Sequence, residues 1–197
     1  MHADAGLMND PAKDDLLILV DGLDRETGTA TKAQAHLEGL LHRAFSVVLV
    51  RQGDGGPQLL LTRRAQGKYH SAGLWTNSCC SHPRAGEQLL DAAYRRVREE
   101  LGCEATELHE IGAFVYRAEF ANGLVEYEYD HVLIGGFEGE LDVDPSESDA
   151  IRWISCDEFA KELAGAPETI TAWAFTVFSI AMRALSSEAE WNHGGAH

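Results

Sequence analysis

Apolar positions fall into short runs with two distinct periods. Residues 16–20, LLILV, predict a strand, with turn chemistry at Asp21-Gly22 and Thr27-Gly28. AFSVVLVR (44–51) and PQLLLTRR (57–64) predict two strands joined across Gln52-Gly53-Asp54-Gly55-Gly56, a hairpin signal. Residues 65–83 lack a period and predict a loop. The clearest helical period runs over 86–101, GEQLLDAAYRRVREEL, with Leu90, Ala93, Val97 and Leu101 on one face and Gly102 as a stop. Glu110–Phe120 and Leu124–Phe137 predict a second hairpin turning at Ala121-Asn122-Gly123. Ile151–Ile154 predicts a short strand. Residues 156–164 and 168–185 predict helices, the last carrying Trp173, Phe175 and Phe178. Strands and helices mix without regular βαβ alternation, which predicts an α+β fold or a layered α/β/α sandwich. Residues 1–14 and 187–197 are polar ends expected to be mobile tails, leaving one domain over 15–186.

Composition narrows the function classes. The 197 residues suit one domain with a sizeable core. No apolar run approaches the ~18 residues of a membrane span. The N-terminal stretch MHADAGLMNDPAKDD has neither a basic n-region nor an apolar h-region, so a cytoplasmic chain without membrane partners is expected. A net charge of −16 argues against a nucleic-acid binder, which needs a basic face. Cys79, Cys80, Cys103 and Cys156 include no CxxC pair, and adjacent Cys79 and Cys80 are poorly placed to bridge each other, so reduced thiols are expected.

Against that acidity, seven of the 16 Lys and Arg residues lie between 63 and 98: Arg63, Arg64, Lys68, Arg84, Arg95, Arg96 and Arg98. Such a concentration suits a bound phosphate. It equally suits i,i+4 ion pairs within the helix, Arg95 with Glu99 and Arg96 with Glu100. The helix also carries most of a Nudix box, G-x5-E-x7-R-E-U-x-E-E-x-G-U, through Glu87, Arg95, Val97, Glu99, Glu100 and Gly102. Ser81 replaces its opening Gly, and Arg96 replaces the Glu after the box arginine. The missing Glu belongs to the cluster that binds the metals used to hydrolyse diphosphates. A cation in its place favours holding a diphosphate without cutting it. His36 and His42 precede the 44–51 strand and His82 follows the Cys pair. Glu126 and Glu128, at i and i+2, share one strand face. Three imidazoles and two carboxylates, if they converge, make an octahedral site for Mn²⁺, Mg²⁺ or Zn²⁺.

HLEGLLHRAFS, TRRAQGKYHSAGLWTNSCCSHPRAGE, YRAEFANGLVEYEYDHV and TAWAF together resemble the type 1 isopentenyl-diphosphate Δ-isomerases, a Nudix-superfamily branch, over roughly residues 15–180. The resemblance implies a Nudix-type α/β/α sandwich with a mixed sheet and an N-terminal extension. It implies Cys80, two residues before His82-Pro83, as the catalytic cysteine, with Glu128 and Tyr116 in the catalytic set. It implies His36, His42, His82, Glu126 and Glu128 as ligands of one Mn²⁺, Zn²⁺ or Mg²⁺ ion. Glu100 is implied as the ligand of a Mg²⁺ carried by the substrate diphosphate. Lys32, Arg64, Lys68 and Arg96 are implied as diphosphate contacts and Trp173 as an active-site aromatic. The implied partner is a small-molecule diphosphate, and a monomer is expected. The competing expectations are a Nudix pyrophosphohydrolase, against which Arg96 counts, and a non-catalytic diphosphate or metal sensor on the same fold.

Overall fold

The computed structural model describes residues 16–194, with side chains described over 16–186. The expected tails at 1–14 and 187–197 fall outside the residues so described, although the backbone of the last helix runs to Gly194. The elements are β1 (Leu16–Val20), β2 (Glu26–Thr31), α1 (Lys32–Glu38), β3 (His42–Gly53), β4 (Gly56–Arg64), β5 (Trp75–Thr76), β6 (Cys79–Ser81), α2 (Leu89–Leu101), β7 (Glu104–Glu119), β8 (Val125–Glu138), β9 (Ser148–Ser155), α3 (Cys156–Gly165) and α4 (Ala174–Gly194).

β3 organises the sheet. Its alternation sends Phe45, Val47 and Leu49 to one core and Val48 to another, all 0–1% exposed. The first core packs α2 through Ala92, Ala93, Val97 and Leu101. The second packs α3 and α4 through Phe159, Val177, Phe178 and Ala181. A strand buried on both faces reads as a continuous apolar run because helices cover both sides. The result is the expected α/β/α sandwich. β3 pairs in parallel with β8 along His42–Leu49. It pairs antiparallel with β6 at Phe45–Val47 and with β4 at Val50–Gly53. β8 pairs antiparallel with β7, and β9 with β4, so the sheet is mixed.

Several local expectations are corrected. Asp21 does cap a turn, accepting from the Leu23 and Arg25 amides at 2.9 and 3.1 Å. Thr27 and Gly28, however, lie inside β2, whose alternation is hidden because only Ala30 is buried. Thr31 then caps α1, accepting from the Gln34 amide at 3.2 Å. The expected 65–83 loop contains β5 and β6, too short to show a period. α2 begins at Leu89, and Leu89 rather than Leu90 packs the core; Leu90 is 40% exposed. The helix expected from 168 begins at Ala174, after a 3₁₀ turn at Pro167–Thr169. Gly102 ends α2 with φ +67°, and a Cβ there would meet the Asp142 carbonyl oxygen at 2.6 Å, so the stop demands glycine.

Candidate active site and metal centre

Strand pairing, not sequence proximity, assembles the site. β6 lies along one edge of β3 and β8 along the other, so Cys80 sits opposite Ser46 while His42 pairs with Glu128. Successive residues of β6 face opposite ways: Cys79 joins the α2 core and Cys80 the opposite side. All four cysteines are free thiols. β8 turns Glu126, Glu128 and Asp130 to one buried face, 5, 7 and 1% exposed. Three carboxylates this close are costly in a low-dielectric interior unless cations or protons neutralise them.

His36, His42 and His82 close around two of them, Glu126 and Glu128, to form a cluster of five. Their ligand atoms all lie within 4.8 Å of one another, the one such grouping among the described residues. His42 Nδ1 lies 2.8 Å from the Leu40 carbonyl and donates to it, which leaves the Nε2 lone pair facing the cluster. There it lies 3.2 Å from His82 Nε2 and 3.6 Å from a Glu128 oxygen. His36 Nε2 and Glu126 Oε2 are buried without a hydrogen-bond partner, although only 3.5 Å apart. Two orphaned acceptors within a convergence of five ligand-type residues fit a divalent ion of octahedral preference. Burial holds His36 neutral, its pKa lowered to about 3, and pulls His82 down as well. Neutral imidazole is the ligand form. Burial also opposes charge on His42, but its contact with Glu128 outweighs this and raises it; Glu128, pushed up by burial, is drawn below its ordinary value by His42 and Tyr116.

One cavity brings the other expected residues together: Lys32, Arg64, Lys68, Arg96, Glu100, Cys80, Tyr116, Glu126, Glu128 and Trp173 all line it. Tyr116 donates its hydroxyl to Glu128 Oε2 at 2.6 Å, and its ring lies 6.1 Å from that of Trp173. Burial and the Glu128 charge push the Tyr116 phenol well up. Burial, then Asp130, pushes the Cys80 thiol up to about 12. Asp130 itself is raised well above a carboxylate's usual range by burial and Glu128. The Arg64 guanidinium lies 5.5 Å from the Trp173 ring centroid. Arg96 donates from Nε to Glu100 at 3.0 Å and from Nη1 to Glu99 at 2.9 Å. Its Nη2 reaches both Glu100 and Glu147, and Lys68 pairs with Glu147.

The degenerate box divides into two jobs. Glu87 is engaged by Arg95 through two bonds of 2.7 and 2.8 Å and accepts the Arg84 amide at 2.9 Å, so it braces the approach to α2. Glu99 lies outward with Arg95 and Arg96. Of the three matching box glutamates, Glu100 alone lines the cavity. Burial raises its carboxyl above the ordinary value although Arg96 pulls it down. Sequence reasoning missed Ser46, His70, Thr76, Asn77, Asp130 and Glu147. His70 contacts Glu126 at 2.7 Å and stacks on Phe120 at 4.2 Å, steadying a member of the His/Glu cluster from behind. Only the TNSCCSHP and YEYDH contexts of Thr76, Asn77 and Asp130 hinted at them.

The NUDIX domain family model matches residues 40–174. The fold agrees with the crystal structure of DR0079 from Deinococcus radiodurans at a TM-score of 0.65, with 18% identity over 85% of this chain and 98% of that one. The MutT NUDIX hydrolase from Burkholderia pseudomallei superposes with a TM-score of 0.56 and 23% identity, over 71% and 96% of the two chains. The sandwich and its box helix thus define a NUDIX-domain protein. Sequence carries the assignment further. "Isopentenyl-diphosphate Delta-isomerase" from Photobacterium profundum is 47% identical over 174 residues, 87% of this chain and 97% of that protein. The protein of the same name from Burkholderia multivorans is 48% identical over 80% of this chain and 87% of its own. "Isopentenyl-diphosphate Delta-isomerase 2" from Aromatoleum aromaticum is 46% identical over 81% and 82%. The chain belongs to the isopentenyl-diphosphate Delta-isomerase family.

Proposed function

We propose that this protein interconverts isopentenyl and dimethylallyl diphosphate, an isomerisation of isoprenoid biosynthesis, in a single domain over 15–186. The observation that carries this reading is the shared cavity, which joins a thiol, a Tyr–Glu pair and an indole to a set of cations. The reaction adds one proton to the terminal alkene carbon and removes another from the carbon nearer the diphosphate. A tertiary carbocation lies between the two steps. Cys80 and Glu128 are the two proton-carrying groups, with the Tyr116 hydroxyl bonded to Glu128. Each serves as donor in one direction and acceptor in the other. Trp173 offers its π face to the cation, an attraction worth ~2 kcal/mol when desolvated. Lys32, Arg64, Lys68 and Arg96 hold the diphosphate, and Glu100 binds the Mg²⁺ that accompanies it.

His36, His42, His82, Glu126 and Glu128 would hold a Mn²⁺, Zn²⁺ or Mg²⁺ ion, a reading supported by the orphaned His36 and Glu126 atoms. Bound there, such an ion would hold Glu128 in orientation and tune its acidity. The protein's own residues exclude water: Trp173, Tyr116 and Phe120 pack in or behind the cavity wall. The reading includes a cytoplasmic monomer acting on a small molecule, without nucleic-acid or membrane partners. A charge of −16 supports the exclusion of nucleic acid, and among the described residues no helix is long and apolar enough to cross a membrane.

Incubation with isopentenyl diphosphate and Mg²⁺ in D₂O tests the proposal. The expected product is acid-labile allylic diphosphate that has gained deuterium. Release of phosphate or pyrophosphate from nucleoside diphosphate derivatives, with no allylic product, overturns it in favour of a hydrolase.

A further inference from the structure

Between β5 and β6 lies a buried hydrogen-bond unit with no role in the reading so far. Asn77 is 0% and Thr76 5% exposed. The Asn77 amide nitrogen donates to two backbone carbonyls, Val47 at 3.1 Å and Cys79 at 2.9 Å. Those acceptors determine which way the amide lies, because reversing it would set its oxygen against two carbonyl oxygens. Asn77 Oδ1 therefore faces the other way, where it accepts from Cys80 Sγ at 3.0 Å and from Thr76 Oγ1 at 3.1 Å. The Thr76 hydroxyl has one hydrogen, given to Asn77. It accepts from Trp173 Nε1 at 3.0 Å and from Thr171 Oγ1 at 3.1 Å. Both side chains are thus filled to capacity, two donors and two acceptors on Asn77, one donor and two acceptors on Thr76.

We propose that Thr76 and Asn77 are positioning residues that lock the Cys80 thiol and the Trp173 indole into one register. The inference rests on the roles read above for Cys80 and Trp173. The chain of bonds runs from the indole N–H through the Thr76 hydroxyl and the Asn77 carbonyl to the thiol. Its anchors are backbone carbonyls of β3 and β6, so it is tied to the central strand. The chemistry needs such a tie. The ring must face the carbon that bears positive charge while the thiol addresses a neighbouring carbon. A displacement of one relative to the other by about 1 Å costs ~10²-fold in rate. Two separately mounted side chains, one on the three-residue strand β6 and one immediately before α4, would not keep that spacing alone.

Thr76→Val keeps the shape and removes the hydroxyl. It leaves the Trp173 N–H and the Asn77 oxygen each short of a partner. The expected result is a kcat lower by about 10- to 100-fold with KM changed by less than about threefold, because the diphosphate contacts lie elsewhere. Thr76→Ser restores most of the rate. Trp173→Phe retains an aromatic face but loses the N–H, and its effect should combine with Thr76→Val far less than additively. A second readout needs no turnover: the rate of Cys80 alkylation by iodoacetamide, followed by peptide mass spectrometry, should change several-fold in both Thr76→Val and Trp173→Phe. If Thr76→Val does not fold, the alkylation rate in Trp173→Phe decides the matter. A parent kcat in Thr76→Val, fully additive losses, or an unchanged alkylation rate in Trp173→Phe overturns the coupling. These results would leave the site reading intact if Cys80→Ala is inactive, whereas an active Cys80→Ala overturns the site reading itself.

Discussion

The two ends of the cavity are charged in opposite ways and prepared by opposite means. At the metal centre, acceptors crowd together and some are left without partners: His36 Nε2 and Glu126 Oε2 are buried and orphaned. At the diphosphate end, the cations already have partners, since Arg96 pairs with Glu99, Glu100 and Glu147 and Lys68 with Glu147. A cation site can be held open by packing, because burial keeps His36 and His82 neutral and the carboxylates are braced by Tyr116 and His70. A cluster of guanidinium and ammonium groups repels itself, so internal carboxylates hold it together until a stronger anion arrives. One site is preorganised by unmet hydrogen-bonding capacity and the other by exchangeable ion pairs.

The largest effect should appear where the two ends meet. Cys80→Ala should lower kcat by ~10²–10⁴-fold, the usual share of acid–base catalysis, while Cys79→Ala leaves most activity. Cys79 packs the α2 core and borders the cavity only on the Glu100 side, so its loss should register in thermal unfolding rather than in kcat. Equal kinetic loss in both variants would dissolve the distinction between the two faces of β6.

The metal end can be broken separately. His82→Ala should strip the transition-type ion, detected by elemental analysis of the purified protein, while Mg²⁺ still supports pyrophosphate binding. An ion that binds only the folded state adds ~2.7 kcal/mol at a hundredfold excess over its Kd, so the variant should also melt several degrees lower. Full metal occupancy in His82→Ala, or in the His36→Ala/His42→Ala double variant, would refute the grouping.

Arg96→Glu should break the diphosphate end. It removes an attraction and sets a third carboxylate beside Glu100 and Glu147. Charged hydrogen bonds run ~1.5–3 kcal/mol, or roughly 10- to 150-fold in affinity. Arg96→Ala within about twofold of the parent in both kcat and KM would reduce Arg96 to a helix pair, worth ~0.2–0.5 kcal/mol.

The smallest effect sharpens the comparison most. Glu147 competes with the incoming anion for Lys68 and Arg96. Glu147→Gln should therefore tighten binding of Mg²⁺-free pyrophosphate, by up to about fivefold given the ~0.2–1 kcal/mol of a partly exposed pair. Calorimetric titration measures this directly, and weaker binding would mean that Glu147 organises the cations instead of opposing the ligand.

Much of the site was legible along the chain. Glu87 and Arg95, eight residues apart, proclaimed the box, and Arg96 beside them marked the departure from its consensus. Glu126 and Glu128 announced a shared strand face by their two-residue spacing. The fold class followed from the apolar runs on β3, β4 and α2. Less legible were β2, with one buried residue in six, and β5 and β6, which are too short for any period. Glu147 gave no signal, since an acidic residue in an acidic chain is unremarked until it stands beside Lys68.

The sequence by itself determined the local geometry: which residues share the faces of the long helix and strands, and where Gly102 must stop α2. Only the tertiary structure decided that Cys79 and Cys80 face opposite sides of β6, that His36, His42 and His82 converge on β8, that Thr76 and Asn77 bind the thiol to the indole, and that Arg96 and Lys68 are paired with Glu100 and Glu147. The reason is physical. Periodicity reports dihedral angles and burial of one element, which neighbours in the chain dictate. Which elements meet depends on strand pairing across β3 and on packing both faces of the sheet, free energies summed over residues far apart in the chain.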